Sequence, residues 1–164
     1  MSYIQKALST TGELHSAVCI IEKSLITKEF VFGDVNWVSN DGTLLAVFED
    51  TNVTIKRIVS DDDNIPVNTQ VTISYKVTTK GWRSGIYRGE ERPPRINVLI
   101  YTGPLDNGTK KCTGGQIETW IAPETDISCD SERSPFSAKN LFTYDFYDDA
   151  VCIELDGSST LYQC

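Results

Sequence analysis

At 164 residues, with 15 lysines and arginines against 23 aspartates and glutamates, the chain carries a formal charge of −8. That field repels phosphate backbones and speaks against nucleic acid as a partner. Its 40% apolar and 23% charged content exclude a disordered chain, its size lets it bury about 70% of its unfolded surface without metal or cofactor, and no apolar run is long enough to span a bilayer as a helix.

The chain opens on Met1-Ser2-Tyr3-Ile4-Gln5, with no basic stretch followed by an apolar one. We read it as a mature secreted product to which Met1-Ser2 is an addition. Tyr3–Leu8 has weak helical character and predicts at most a short N-terminal helix. From there period-2 alternation takes over. Strands are expected around Ala17–Ile21, Phe30–Val38 and Thr43–Phe48, and Asn40-Asp41-Gly42 predicts a hairpin turn between the last two. Val53 and Ile55 begin a further strand whose register breaks near Arg57-Ile58, the mark of a bulge. Val71, Ile73, Tyr75 and Val77 form one face of the clearest strand, with Thr72, Ser74, Lys76 and Thr78 on the other. Ile96, Val98 and Ile100 make another, then Ile117, Thr119 and Ile121, then a segment around Leu141–Phe146. Last come Val151, Ile153 and Leu155, with Cys152, Glu154 and Asp156 facing away. Asp106-Asn107-Gly108, Gly114-Gly115 and Asp156-Gly157 read as turns.

About nine or ten strands at this spacing, with no repeat and no linker, predict an all-β fold in a single domain covering residues 1–164. An antiparallel β-barrel is favoured over a β-sandwich, because closure removes unpaired strand edges.

Five cysteines are present: Cys19 stands alone, while Cys112, Cys129, Cys152 and Cys164 fall in the last third. No Cys-x-x-Cys occurs and His15 is the only histidine, so no metal site is expected. Disulfides in an extracellular protein are the simplest reading, compatible with the sequons at Asn52 and Asn107. Sequence alone does not choose the pairing. One arrangement joins Cys112 to Cys129, closing a loop worth about 3 kcal/mol. It joins Cys152 to Cys164 across a Gly157-Ser158-Ser159 hairpin loop and leaves Cys19 free. The rival joins Cys19 to Cys152 and leaves Cys164 free.

No catalytic residues are predicted. His15 has no nucleophile elbow to serve. Asp61-Asp62-Asp63 and Asp148-Asp149 read as wet acidic turns, with nothing to push their pKa values apart. Glu49, Glu118 and Glu154 fall on polar strand faces; a hydrolase reading with paired carboxylates would rest on Glu118 and Glu154. Phosphate-cradling glycine motifs are absent. No cofactor is expected.

The unusual stretch is residues 80–95, where four arginines gather with Trp82 and Tyr87 in an otherwise acidic chain. Arginine and large aromatics concentrate binding energy. Trp82, Arg83, Tyr87, Arg88 and Arg92 are therefore the candidate partner-binding residues; the competing reading is a long hairpin whose arginines offset acidic loops. Trp37, Trp82 and Trp120 also invite a carbohydrate-binding reading, although core packing is expected for Trp37 and Trp120.

Tyr3-Ile4-Gln5-Lys6-Ala7-Leu8, Cys112-Thr113-Gly114-Gly115-Gln116 and the terminal Leu161-Tyr162-Gln163-Cys164, in a small acidic β-domain, resemble the secreted necrotrophic effectors of wheat-infecting fungi, the Tox-class proteinaceous host-selective toxins. The resemblance implies a processed, secreted, extracellular monomer that triggers host plant cell death without catalysis. It implies as partner a sensitivity-gene product or a pathogenesis-related defence protein. The Arg-Gly-Asp tripeptide of one related pattern is missing; Arg88-Gly89-Glu90 stands nearest to it.

Overall fold

The computed structural model describes the backbone of residues 9–20, 27–59, 66–84, 86–87, 90–91, 96–121, 136–142 and 150–164, and side chains at 9–20, 27–58, 68–83, 96–117 and 150–164. Among the described residues eleven strands are formed: β1 (Ser9–Cys19), β2 (Thr27–Ser39), β3 (Leu44–Val59), β4 (Pro66–Thr79), β5 (Trp82–Ser84), β6 (Ile86–Tyr87), β7 (Glu90–Glu91), β8 (Ile96–Tyr101), β9 (Gln116–Ile121), β10 (Phe136–Phe142) and β11 (Cys152–Gln163). Among the described residues there is no helix; Tyr3–Leu8 lies outside them.

Eight strands follow one another in a single sheet, β10-β4-β3-β2-β1-β11-β8-β9, with β5 added along β11 and β6–β7 as a separate two-stranded piece. The ladders are antiparallel. The sheet curls into a half-barrel, which brings its two edge strands, β9 and β10, into contact. The architecture is one bent sheet instead of two stacked ones.

Alternation explains the core. Val71, Ile73, Tyr75 and Val77 are all buried, as are Ile96, Val98 and Ile100 on β8 and Ile153 and Leu155 on β11. The segments expected as Thr43–Phe48 and as a separate strand from Val53 are one strand, β3, interrupted by bulges. One register shift falls between Ile58 and Val59, where the alternation breaks in the sequence. The other lies between Glu49 and Asn52, with Asp50 at φ 53°. Across the β2–β3 ladder, Gly33 (φ 69°) pairs with Thr51 between two further register shifts, and the Asp50 N–H donates to the Asp34 carboxylate at 3.2 Å. Coincident bulges on neighbouring strands increase twist and bend the sheet.

The Asn40-Asp41-Gly42 turn forms between β2 and β3, with Gly42 at φ 86°. The Asp41 carboxylate accepts from the Ser39 hydroxyl, and from the Thr43 hydroxyl and N–H at 2.7 and 3.0 Å. These donors hold its carboxyl down at about 2. Asp156-Gly157, by contrast, is no turn: β11 runs straight through it because β1 pairs with it residue by residue, Leu14 opposite Gly157. Turn propensity is a local preference, and the ladder overrides it.

Trp37, Phe48 and Tyr75 form an edge-to-face row across β2, β3 and β4, with ring centroids 5.8 and 4.9 Å apart. Trp37 is fully buried, so its indole face is closed to a sugar. Burial also pushes the Tyr75 phenol above its ordinary value. The Trp37 ring lies on the bare backbone of Gly12; a Cβ there would collide with the indole and stand 2.5 Å from Leu45 Cδ1. Gly12→Ala is therefore expected to destabilise by about 1–3 kcal/mol through overpacking, read as a lower midpoint of urea unfolding at unchanged slope.

Candidate functional site

The outward face of β11 departs from the simple alternating pattern. Cys152 and Glu154 point away from the Ile153–Leu155 core, yet both are buried. Their cover is the connection between β8 and β9. Residues 102–115 fold back on themselves as a small hairpin, with the Gly103 N–H donating to Thr113 O at 2.8 Å, the Thr113 N–H to Pro104 O at 3.1 Å and a bridge pairing Leu105 with Cys112. The expected turn at Asp106-Asn107-Gly108 forms its tip. There the Asp106 carboxylate accepts from the N–H groups of Gly108 and Thr109 at 2.7 and 3.0 Å, which lowers its pKa. Gly114 takes φ 88° and lies against Gly103, with no room for a Cβ.

Under this hairpin Cys112 is disulfide-bonded to Cys152, with Cα atoms 5.9 Å apart. The bridge corrects both pairings expected from the sequence. Cys152 and Cys164 cannot meet, because they bracket one extended strand of 12 residues, about 40 Å long at the usual rise. Cys112 is committed to Cys152 and not to Cys129, which lies outside the described residues. Cys164 is disulfide-bonded as well, and among the described residues Cys19 is a free cysteine. Cys19 stands opposite Cys152 in the β1–β11 register, and its Sγ lies 2.7 Å from Cys152 Sγ. The three sulfurs all fall within 4.8 Å of one another. With the bridge closed, two of them are withdrawn from metal coordination, which requires thiolates. Burial raises the Cys19 thiol pKa, and a hydrogen bond with the Leu105 backbone partly offsets this.

Glu154 is the polar centre of the covered face. Its Oε1 accepts the Cys112 N–H at 2.6 Å and its Oε2 accepts the Tyr101 hydroxyl at 3.2 Å. His15 Nε2 stands 3.9 Å from Oε2, close enough to pair when the imidazole is protonated. Glu154 is on the outward polar face of its strand as expected, but it is buried there, because the hairpin covers it. Glu118 pairs with Leu99, and Leu99 pairs with Glu154, so the two backbone positions lie two strands apart, about 10 Å.

At the other end of β11, about 30 Å from Cys152 at the strand rise, Leu161–Gln163 pair with β5. Trp82 packs half-buried against the core. Arg83 is opposite Tyr162 in register, and its guanidinium lies 5.8 Å from the centre of the Tyr162 ring. Of the predicted partner-binding residues, Trp82 and Arg83 share β5, but as consecutive strand residues they face opposite sides, Trp82 toward the core and Arg83 toward Tyr162. Tyr87 falls in β6, opposite Glu90 of β7, and Arg88 and Arg92 lie outside the described residues. Tyr162 was not singled out by sequence reasoning. Its only local signal is the Leu161-Tyr162 alternation, and its neighbour is set by a ladder across some eighty residues.

Comparison with known proteins finds no protein-family model that matches the chain, and no match among curated proteins or solved structures. The geometry alone therefore carries the functional reading. Replacing Cys112 and Cys152 together by serine is expected to cost about 4 kcal/mol, the chain entropy of a bridge spanning a sequence separation of 40. Equilibrium urea unfolding of the double variant against the parent checks it.

Proposed function

We infer that the protein is a secreted, non-catalytic recognition module of the effector-toxin type, which triggers host plant cell death by contact with a host protein. The observation that carries this reading is the Arg83–Tyr162 pair between β5 and β11. A guanidinium over an aromatic ring on a short added strand is the composition in which interface energy concentrates. It stands out in a chain of net charge −8, where a half-buried cationic group steers a partner of opposite sign. Two cysteine-bonded ends of β11 support an extracellular setting. The approach of β9 to β10 supports a scaffold that completes a closed barrel, rigid enough to present the patch as a monomer. A sensitivity-gene product or a pathogenesis-related defence protein is the partner class we propose.

The test is infiltration of purified protein into sensitive and insensitive plant lines, with Arg83→Ala and Tyr162→Ala variants alongside. Cell death confined to the sensitive line is expected. The double variant should lose at least about tenfold in the dose required, in line with removal of an interface anchor, at an unchanged unfolding midpoint. Equal response in both lines, or undiminished potency of the double variant, refutes the reading.

A further inference from the structure

The free thiol of Cys19 is not in an isolated position. It belongs to a group of three sulfurs, two of them joined, held by two independent pieces of structure: the β1–β11 ladder and the 102–115 hairpin. The geometry points to an internal thiol–disulfide exchange in which Cys19 displaces Cys112 from Cys152, moving the bridge from the hairpin to the sheet and leaving Cys112 as a thiol open to modification.

The ladder makes the second bridge accessible. Cys19 and Cys152 are directly opposed on adjacent antiparallel strands, where Cα atoms stand about 4.5–5.5 Å apart. That lies within the range in which a disulfide closes without backbone movement, about 4.4–6.8 Å. The attacking sulfur is already beside its target, at 2.7 Å. In the step itself the Cys19 thiolate forms a bond to Cys152 Sγ and the Cys112–Cys152 bond breaks. The electron pair departs on Cys112 Sγ, which takes up a proton, replacing the one Cys19 gave to solvent. One disulfide and one thiol are present before and after, so neither oxidant nor reductant is consumed.

The two isomers differ in what they secure. In the first, the bridge ties the hairpin down over Glu154. In the second, it duplicates a link that the β1–β11 hydrogen bonds already make, and the hairpin is held by the Cys112 N–H to Glu154 bond and its own internal pairs. Most of the hairpin around Cys112 is exposed, so a released Cys112 needs only a small lift to reach solvent. Burial raises the Cys19 thiol pKa, which lowers its thiolate fraction and slows its attack.

The experiment uses the intact protein without reductant. It is held at neutral pH, quenched in acid, alkylated with N-ethylmaleimide and mapped by mass spectrometry of non-reduced peptides. Both Cys19 and Cys112 are expected to carry label, with Cys112 at about one-hundredth of the Cys19 level or more, since both pairs fall within the Cα range that a disulfide spans. A lower Cys112 label overturns the inference. Cys112→Ser provides a second measurement: air-oxidised protein should contain the Cys19–Cys152 bridge and retain more of the parent's thermal midpoint than Cys152→Ser, which has lost the shared sulfur. Alkylation of both Cys19 and Cys152 in folded Cys112→Ser equally overturns it.

Discussion

The ladder between β1 and β11 runs without interruption from Cys19 opposite Cys152 to Ser9 opposite Tyr162, and most other features are placed by it. Because β1 occupies one side of β11 along its whole length, the other side is free to take β8 at its start and β5 at its end. One strand therefore carries two chemically distinct ends. The register also decides which side chains share a face, since a slip of one residue would send Cys152 and Glu154 into the core and Ile153 and Leu155 out of it. The aliphatic core fixes that choice, and the sulfur cluster follows from it.

What could be read in advance was whatever depends on neighbours in sequence. The alternation of β4 and β8 gave their buried faces directly, the Asn40-Asp41-Gly42 turn followed from its own side chains, and a bulge near Arg57-Ile58 showed as a break in period. The coincident bulges at Gly33 and Asp50 were not legible, because each answers the other across a ladder. Gly157-Ser158-Ser159 misled for the same reason: its composition favours a loop, while β1 supplies pairing partners for all three residues. The expected Cys152–Cys164 bridge fails with it, since that pairing depends on the loop.

The candidate sites divide in the same way. Arg83 and Trp82 could be picked out by composition, but the partner of Arg83 could not, because Tyr162 reaches it through a ladder formed by the far end of the chain. For Glu154 the strand period predicts the direction, away from the core, but not the surroundings. Direction is set by strand period, whereas dryness depends on a hairpin from another part of the chain lying over it. A charged residue at an outward strand position is ordinarily solvated, and only the overlying segment reverses this.

Glu154 and the Cys112–Cys152 bridge consequently support each other. A carboxylate taken out of water is tolerable when donors replace the lost solvation, and here the shortest donor, the Cys112 N–H at 2.6 Å, is on the very residue the disulfide secures. Conversely, the hairpin is a surface segment with few apolar side chains of its own, Leu105 being half-buried. It gains its position from one covalent link and one charge-assisted hydrogen bond, the stronger class of such bonds. Tyr101, at the root of the hairpin, adds the donor on the opposite oxygen. Removing the carboxylate leaves the Cys112 N–H without its acceptor, and removing the bridge leaves the carboxylate dependent on a loop free to lift. The covered face of β11 is stable as a unit and not as a sum of contacts.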